Sequence, residues 1–391
     1  MTDPHISQAS EQNERTPLLP DRRPSSSSSS SLSSAQPRWA AARDLTREVW
    51  LQGKGMILVL AAQFFGSSMN VMTQILERTG NDGKGYDPFQ ILFARMSITM
   101  VASYLYMWYA RVPHPLGTRP VLGLLVLRAM AGFIGVYGLY YSVQYLALSE
   151  ATVLTFLTPI LSCYACSFFM ANEVFTRRQQ LAAVVSLAGV VLIARPFGLA
   201  PPAGDDNSSG GDGVDETHHI LAIGMGLVGV AGASCAYTTI RVIGQRAHPL
   251  VSVTWFSSVT TLGSLLAMLV LPSVPVQLPA TPREWTLLVG LGVCGFLLQF
   301  LLTAGLAYVP PPARSTPASA ESAGNEEDAE DKPRPTSSGS RATSMLYTQM
   351  LFALIYDRVI WGTTLSAMSW GGSLLILGSA IYVAMAGRRD K

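Results

Sequence analysis

Two arginines stand where a formal charge is expensive. Arg95 lies in the apolar run ILFARMSIT and Arg128 in LLVLRAMAG. Within hydrocarbon a charged side chain costs roughly 2.5 to 3.5 kcal/mol, so an ionisable group there is a functional candidate by default. The guanidinium is a fixed fork of donors that matches a carboxylate or phosphate. The chemistry these positions offer is capture of an anion. Arg95 stands seven residues past Pro88, about 10 Å along a helix rising 1.5 Å per residue; it either snorkels to the nearer interface or faces a solute. The competing use of both arginines is structural pairing, with Glu77, Glu150 or Asp357 for Arg95 and with Glu173 for Arg128.

Uncharged residues complete the candidate set. Tyr137, Tyr141, Gln144 and Tyr145 fall at helical spacing, and so do Thr155, Thr158 and Ser162. Pro159 within the second stripe removes a backbone hydrogen bond and frees a carbonyl. Gln63, Asn70, Gln299, Tyr347 and Gln349 are further polar residues in apolar surroundings. Each alone reads as an interhelical hydrogen bond; together they read as the lining of a solute path. Glu150 and Glu173 bracket a stretch without charge, and Asp357 occupies the position in the second half that corresponds to Glu173, which makes these acids structural landmarks rather than catalytic groups.

Enzyme chemistry is not expected. No nucleophile stands with a nearby base, no H-E-x-x-H occurs, and no paired acids lie within an apolar run. The C-x-x-C pair Cys163 and Cys166 lacks the further ligands of a metal site, so neither metal nor cofactor is expected. Gly132, Gly135 and Gly138, and likewise Gly224, Gly226 and Gly229, imitate nucleotide loops, but they lie inside long apolar runs and serve close helix packing. The net charge of +2 has no dense basic face behind it, which excludes nucleic acid as a partner.

The elements that must carry these residues are set by composition. Of 391 residues, 49% are hydrophobic and 13% charged, and mean hydropathy is +0.30. Apolar runs of about 20 residues, the length that crosses a hydrocarbon core, recur at 56–76, 88–110, 121–147, 151–172, 179–195, 219–243, 250–271, 285–309, 343–360 and 365–386. The expectation is an all-α membrane protein with ten transmembrane helices in the lipid bilayer. Lys and Arg concentrate on the side that holds both termini, which makes N- and C-termini cytoplasmic. The acidic loop 197–218 then falls outside, where Asn207 heads a glycosylation sequon. Residues 1–54, with the run SSSSSSSLSS, cannot bury a core and read as a disordered tail. In it ERTPLL, with Glu14, Leu18 and Leu19, matches an acidic dileucine pattern, which a sorting adaptor reads or which arises by chance.

The halves align. Gly66-Ser67-Ser68 matches Gly232-Ala233-Ser234, Pro88 matches Pro249, YLAL at 145–148 matches GLAY at 305–308, and Glu173 matches Asp357. The offset widens from 160 to 184 residues across the last step, locating a Pro, Ser and acid-rich insertion at 311–343 that cannot pack a core. Five spans per half is an odd number, so the second half runs inverted.

The segment RAMAGFIGVYGLYYSVQYLALSEATVLTFLTPILSCYACSFFMANEVFTRRQQLAAVVSLAGVVLIARP, residues 128–196, resembles the EamA-type repeat of the drug/metabolite transporter superfamily. Its marks are an Arg opening the third span, Y-x-x-x-Y-L-A-L, T-P-I in the fourth with a Glu at its end, and a Gly in mid-fifth. PFQILFARMSIT and LYTQMLFALIYDRVIWGTTLSAMSWGGSLLILGSAIY are similar to the fungal relatives of the G-type members of solute carrier family 35. The likeness covers about 55–387, with Asp357 where the family carries Glu. It implies two inverted five-helix repeats, 55–196 and 219–387, the second interrupted by the insertion, with a basic end at 388–391. The function implied is a secondary transporter of a small polar or anionic metabolite by alternating access, one repeat moving against the other. It would reside in an endomembrane (vacuole or endosome) or the plasma membrane. The alternative is a non-transporting trafficking or regulatory protein acting through its tail and loop.

Overall fold

The computed structural model describes residues 38–83, 85–146, 148–170, 175–194, 214–270, 278–309, 338–360, 362 and 367–386. It divides into two compact units, Met1–Leu45 and Thr46–Lys391. The first is described only from Arg38, where the first helix begins. The regular elements among the described residues are all helical: α1 (Arg38–Gly83), α2 (Pro88–Tyr109), α3 (Arg119–Tyr145), α4 (Leu148–Thr155), α5 (Thr158–Phe169), α6 (Arg177–Ala194), α7 (Val214–Ile243), α8 (Pro249–Val270), α9 (Pro282–Leu306), α10 (Ser338–Ser344), α11 (Gln349–Ile360) and α12 (Ala367–Ala386). Among the described residues, seven stretches are long and apolar enough to cross a membrane: Gly53–Glu77, Pro88–Tyr109, Arg119–Ser142, Ala151–Phe169, Ile220–Arg246, Pro249–Val270 and Pro282–Leu306. Met368–Val383 is a shorter apolar helix.

Prolines open several of these helices, where a missing N–H does no harm and φ is already helical. Asp87 caps α2 by accepting from the Phe89 N–H at 2.8 Å, and Thr281 with Glu284 forms a capping box on α9. The buried Glu284 carboxylate also accepts from the Tyr86 hydroxyl at 2.8 Å, tying the turn before α2 to the start of α9. That turn needs Gly85, whose φ is +76° and whose place a Cβ would share with the Glu77 carbonyl.

Four spans differ from expectation, the first by starting at Arg38, inside the stretch 1–54 expected as a disordered tail. The fourth, expected unbroken over 151–172, is two helices interrupted at Phe156–Leu157, because Pro159 has no N–H for the Thr155 carbonyl and its ring crowds that carbonyl. The ninth begins at Ser338 rather than 343, so residues 338–343 are not part of a disordered insertion. Ser340, Ala342 and Thr343 are buried, and a 3-10 turn at Met345–Thr348 separates α10 from α11. The segment looks too polar to bury, yet Thr343 and Ser344 donate to the Gly339 and Ser340 carbonyls at 2.9 and 3.0 Å. Hydroxyls satisfied one turn back lose little in an apolar setting. Likewise α7 starts at Val214, inside the expected acidic loop.

Close packing runs between the halves of the chain. α3 crosses α7 through small residues: Gly135 lies on Ala233, Gly138 on Gly229, and Gly232 on the Ala131 carbonyl, each too close for a further Cβ. Gly224 faces open space instead. α2 packs on α8 and α9, and α8 on α3. α1 meets α9 through Gly55 and Gly305, and Gly66 meets Leu298. On the other side α6 crosses α12 at Gly189 and Gly372, where the Ser186 and Ser379 hydroxyls are 2.6 Å apart. Outward faces are apolar at helical spacing, as in Val101, Leu105 and Trp108 of α2 and Leu262, Leu266 and Leu269 of α8. Such stripes suit lipid contact.

Candidate functional site

Arg128 lies nine residues into α3, about 13 Å along its axis, and its side chain is only 2% exposed. One turn on, Gly132 leaves room beside the helix; a Cβ there would collide with the guanidinium and come within 2.7 Å of the Phe256 ring. Through that gap the guanidinium lies over the Phe256 ring of α8, 4.5 Å from its centroid, a favourable cation–π position. Its Nη2 donates to Gln299 Oε1 of α9 in a long bond of 3.4 Å. Its Nε is buried without a partner. Neither described partner is a carboxylate, so the positive charge is held by an aromatic face and an amide.

The guanidinium borders a cavity of about 160 Å³ lined by α3, α4, α5, α7, α8 and α9. The space exists because α7 brings Gly226, Gly229 and Ala233 to the wall, and because the fourth span breaks beside it. A Cβ on Gly226 would reach 2.9 Å from the Ser142 hydroxyl and 3.1 Å from Leu154. Ser142 and Thr158 line the cavity, and their hydroxyl oxygens are buried without hydrogen-bond partners. Thr155 Oγ1 is committed to the Ala151 carbonyl at 2.9 Å. Tyr237 supplies a further hydroxyl-bearing side chain to the wall, and Val136, Leu139, Leu154 and Phe256 make it apolar elsewhere. A buried polar atom left unpaired costs about 1 to 3 kcal/mol. Arg128, Ser142 and Thr158, all residues of the cavity wall, each keep one such atom.

Of the residues expected from sequence, Arg128, Thr155, Thr158 and Gln299 are brought together here. Arg95 is elsewhere: its stem lies on Gly295 of α9 and its Nη1 donates to Met69 Sδ of α1 at 3.1 Å. Tyr141 and Tyr145 pair ring to ring at 5.2 Å, with Tyr145 turned outward. Pro159 is buried at the head of α5. Tyr347 is buried against Phe156, stacked at 5.9 Å, so the 3-10 turn of the ninth span touches the break of the fourth. Gln349 meets α1 through its carbonyl, which accepts from Ser67 Oγ at 2.9 Å. Asp357 is half-buried on α11. The side chains of Gln144 and Glu150, and residues Glu173, Asn207, Glu14, Leu18 and Leu19, lie outside the described residues. Sequence reasoning missed Ser142, Tyr237 and Phe256. A Phe or Ser within an apolar span carries no signal of its own; only its neighbour across the fold does.

Residues 53–195 match the model of the EamA-like transporter family. The chain is 36% identical over 338 residues to the probable transport protein YPL264C of Saccharomyces cerevisiae, covering 84% of this chain and 88% of that one. It is 25% identical over 184 residues to solute carrier family 35 member G1 of Homo sapiens, covering 46% and 44%. A crystal structure of a protein superposes with a TM-score of 0.63 at 15% identity, covering 86% of this chain and 99% of that one, which bears on the fold alone. The apolar helices and these relatives agree: the protein is a multi-pass membrane transporter, and the chain belongs to the EamA-like transporter family, as an EamA-type member of the drug/metabolite transporter superfamily.

Proposed function

We propose that the protein is a secondary transporter that carries a small polar or anionic metabolite by alternating access. The observation that carries this reading is the buried Arg128, stacked on Phe256, beside a cavity with unpartnered hydroxyls and no carboxylate among its described lining residues. No Walker motif is present to use ATP. Ten crossings follow if α6, the segmented α10–α11 and α12 are added to the seven long apolar stretches. The pairing of α2 on α9 with α8 on α3, and of α5 on α7 with α1 on α11, supports two inverted repeats, 55–196 and 219–387, about a pseudo-two-fold axis. Termini in the cytoplasm, glycosylation at Asn207 and an adaptor at Glu14, Leu18 and Leu19 in an endomembrane or the plasma membrane belong to the same reading.

The tight crossings favour a moving unit other than one repeat. α6 and α12, with α10 and α11, form one group; α2, α3, α7, α8 and α9 form another; α4 and α5 lie between them, α5 packing chiefly on α7, and the cavity is lined by the second group together with α4 and α5. Access alternates when the first group rocks on the second. Purified protein in liposomes, without ATP, is expected to admit solutes from a metabolite extract that empty liposomes exclude, and Arg128→Gln is expected to abolish that entry while still eluting as a folded protein. Undiminished entry with the folded variant removes Arg128 from the site.

A further inference from the structure

The cavity specifies its guest more narrowly than a polar metabolite, and the argument rests on the transport reading above. Its volume of about 160 Å³ compares with the cavity of about 150 Å³ that holds a benzene molecule. A molecule of about that size fills it. Its described lining carries one cation, Arg128, and no Asp or Glu. In a low-dielectric enclosure an uncompensated charge is expensive, so a single negative charge balances the site. A dianion leaves one charge unpaired. A zwitterion brings its ammonium beside a guanidinium with no acid among the described lining residues to receive it. The polar atoms that lack partners are the Arg128 Nε, the Ser142 hydroxyl and the Thr158 hydroxyl, while Val136, Leu139 and Leu154 present hydrocarbon.

From this we infer that the transported solute is a compact monocarboxylate: its carboxylate accepts from Arg128 over the Phe256 ring, its short apolar body meets the aliphatic wall, and a hydroxyl or keto oxygen meets Ser142 or Thr158. Phe256 is then a specificity residue, because the ring fixes the plane of the guanidinium and so the direction in which its donors point.

The test offers equimolar L-lactate, L-alanine, succinate and UDP-glucose together to liposomes holding the full-length protein, with entry read by mass spectrometry, and offers a soluble metabolite extract in parallel. Lactate and alanine are matched in size and differ in charge; succinate adds a second carboxylate. Lactate is expected to enter at least tenfold faster than the other three, and Arg128→Gln to bring it to the level of empty liposomes. Entry of alanine, succinate or UDP-glucose at the lactate rate or above overturns the assignment and leaves transport standing. If none of the four enters but the extract yields a solute, a compact monoanion upholds the assignment and any other class overturns it. If nothing enters from either source, both the assignment and the transport reading fall. Phe256→Leu separates positioning from mere packing: a raised KM for lactate with the maximal rate kept supports the positioning role, and an unchanged KM removes it.

Discussion

Arg128 works because of a residue that is absent beside it. Gly132 lets the guanidinium lie along its own helix and reach the Phe256 ring. Gly132→Ala is therefore expected to cut uptake about tenfold, equivalent to about 1.4 kcal/mol, and to lower stability by about 1 to 3 kcal/mol through overpacking, measured by transport and by thermal unfolding in detergent. Arg128→Lys keeps the charge and loses the planar fork; its uptake is expected to fall well below that of the parent. Outside the spans, burial pushes His248 below its ordinary range, and its Nδ1 accepts from the Leu250 N–H at 3.3 Å. The unfolded chain takes up its proton near pH 6.5 and the folded chain lower. Stability is thus present above that pH and lost as pH falls, and His248→Asn is expected to flatten the decline. At this scale the sequence was legible where charge broke an apolar run, as at Arg128 and Arg95. It was silent where an apolar or small residue gains its role from a neighbour on another helix, as Phe256 and Ser142 do, and it did not tell that Arg95 rests on Gly295 rather than in the cavity.

Among elements, the broken fourth span is the place where the proposed rearrangement would fall. Pro159→Ala restores the N–H that Thr155 lacks and is expected to raise thermal stability while slowing transport, because a straight helix resists rearrangement beside the cavity. The grouping of helices gives a second test. In a background without Cys163, Cys166, Cys235 and Cys294, linking Ser186→Cys to Ser379→Cys joins α6 to α12 within one group and is expected to leave uptake intact. A bis-maleimide with a reducible disulfide spacer between Ser68→Cys and Tyr356→Cys, whose native hydroxyls are 2.6 Å apart, joins α1, which packs on α9 of the second group, to α11 of the first. That link is expected to halt uptake until it is cleaved. The apolar runs were readable from length alone, and Pro159 announced the first break. The 3-10 turn at Met345–Thr348 had no such herald, and Ser338–Ser344 looked like loop because hydroxyl satisfaction within a helix cannot be seen in composition.

At the level of the whole molecule, removing residues 1–37 is expected to leave uptake in liposomes unchanged, since the cavity is built from α3 onward. If ERTPLL is read by an adaptor, replacing Glu14, Leu18 and Leu19 by Ala redirects the protein in cells with transport retained. The buried guanidinium has an electrical consequence as well. An empty carrier holds one positive charge within the membrane field, worth about 2.3 kcal/mol per 100 mV for a full crossing, whereas a carrier loaded with a monoanion is locally neutral. The voltage then acts on the return of the empty form and spares the loaded step. Net uptake is expected to respond to an imposed potassium diffusion potential, while exchange of one monoanion for another across the same liposomes stays insensitive to it.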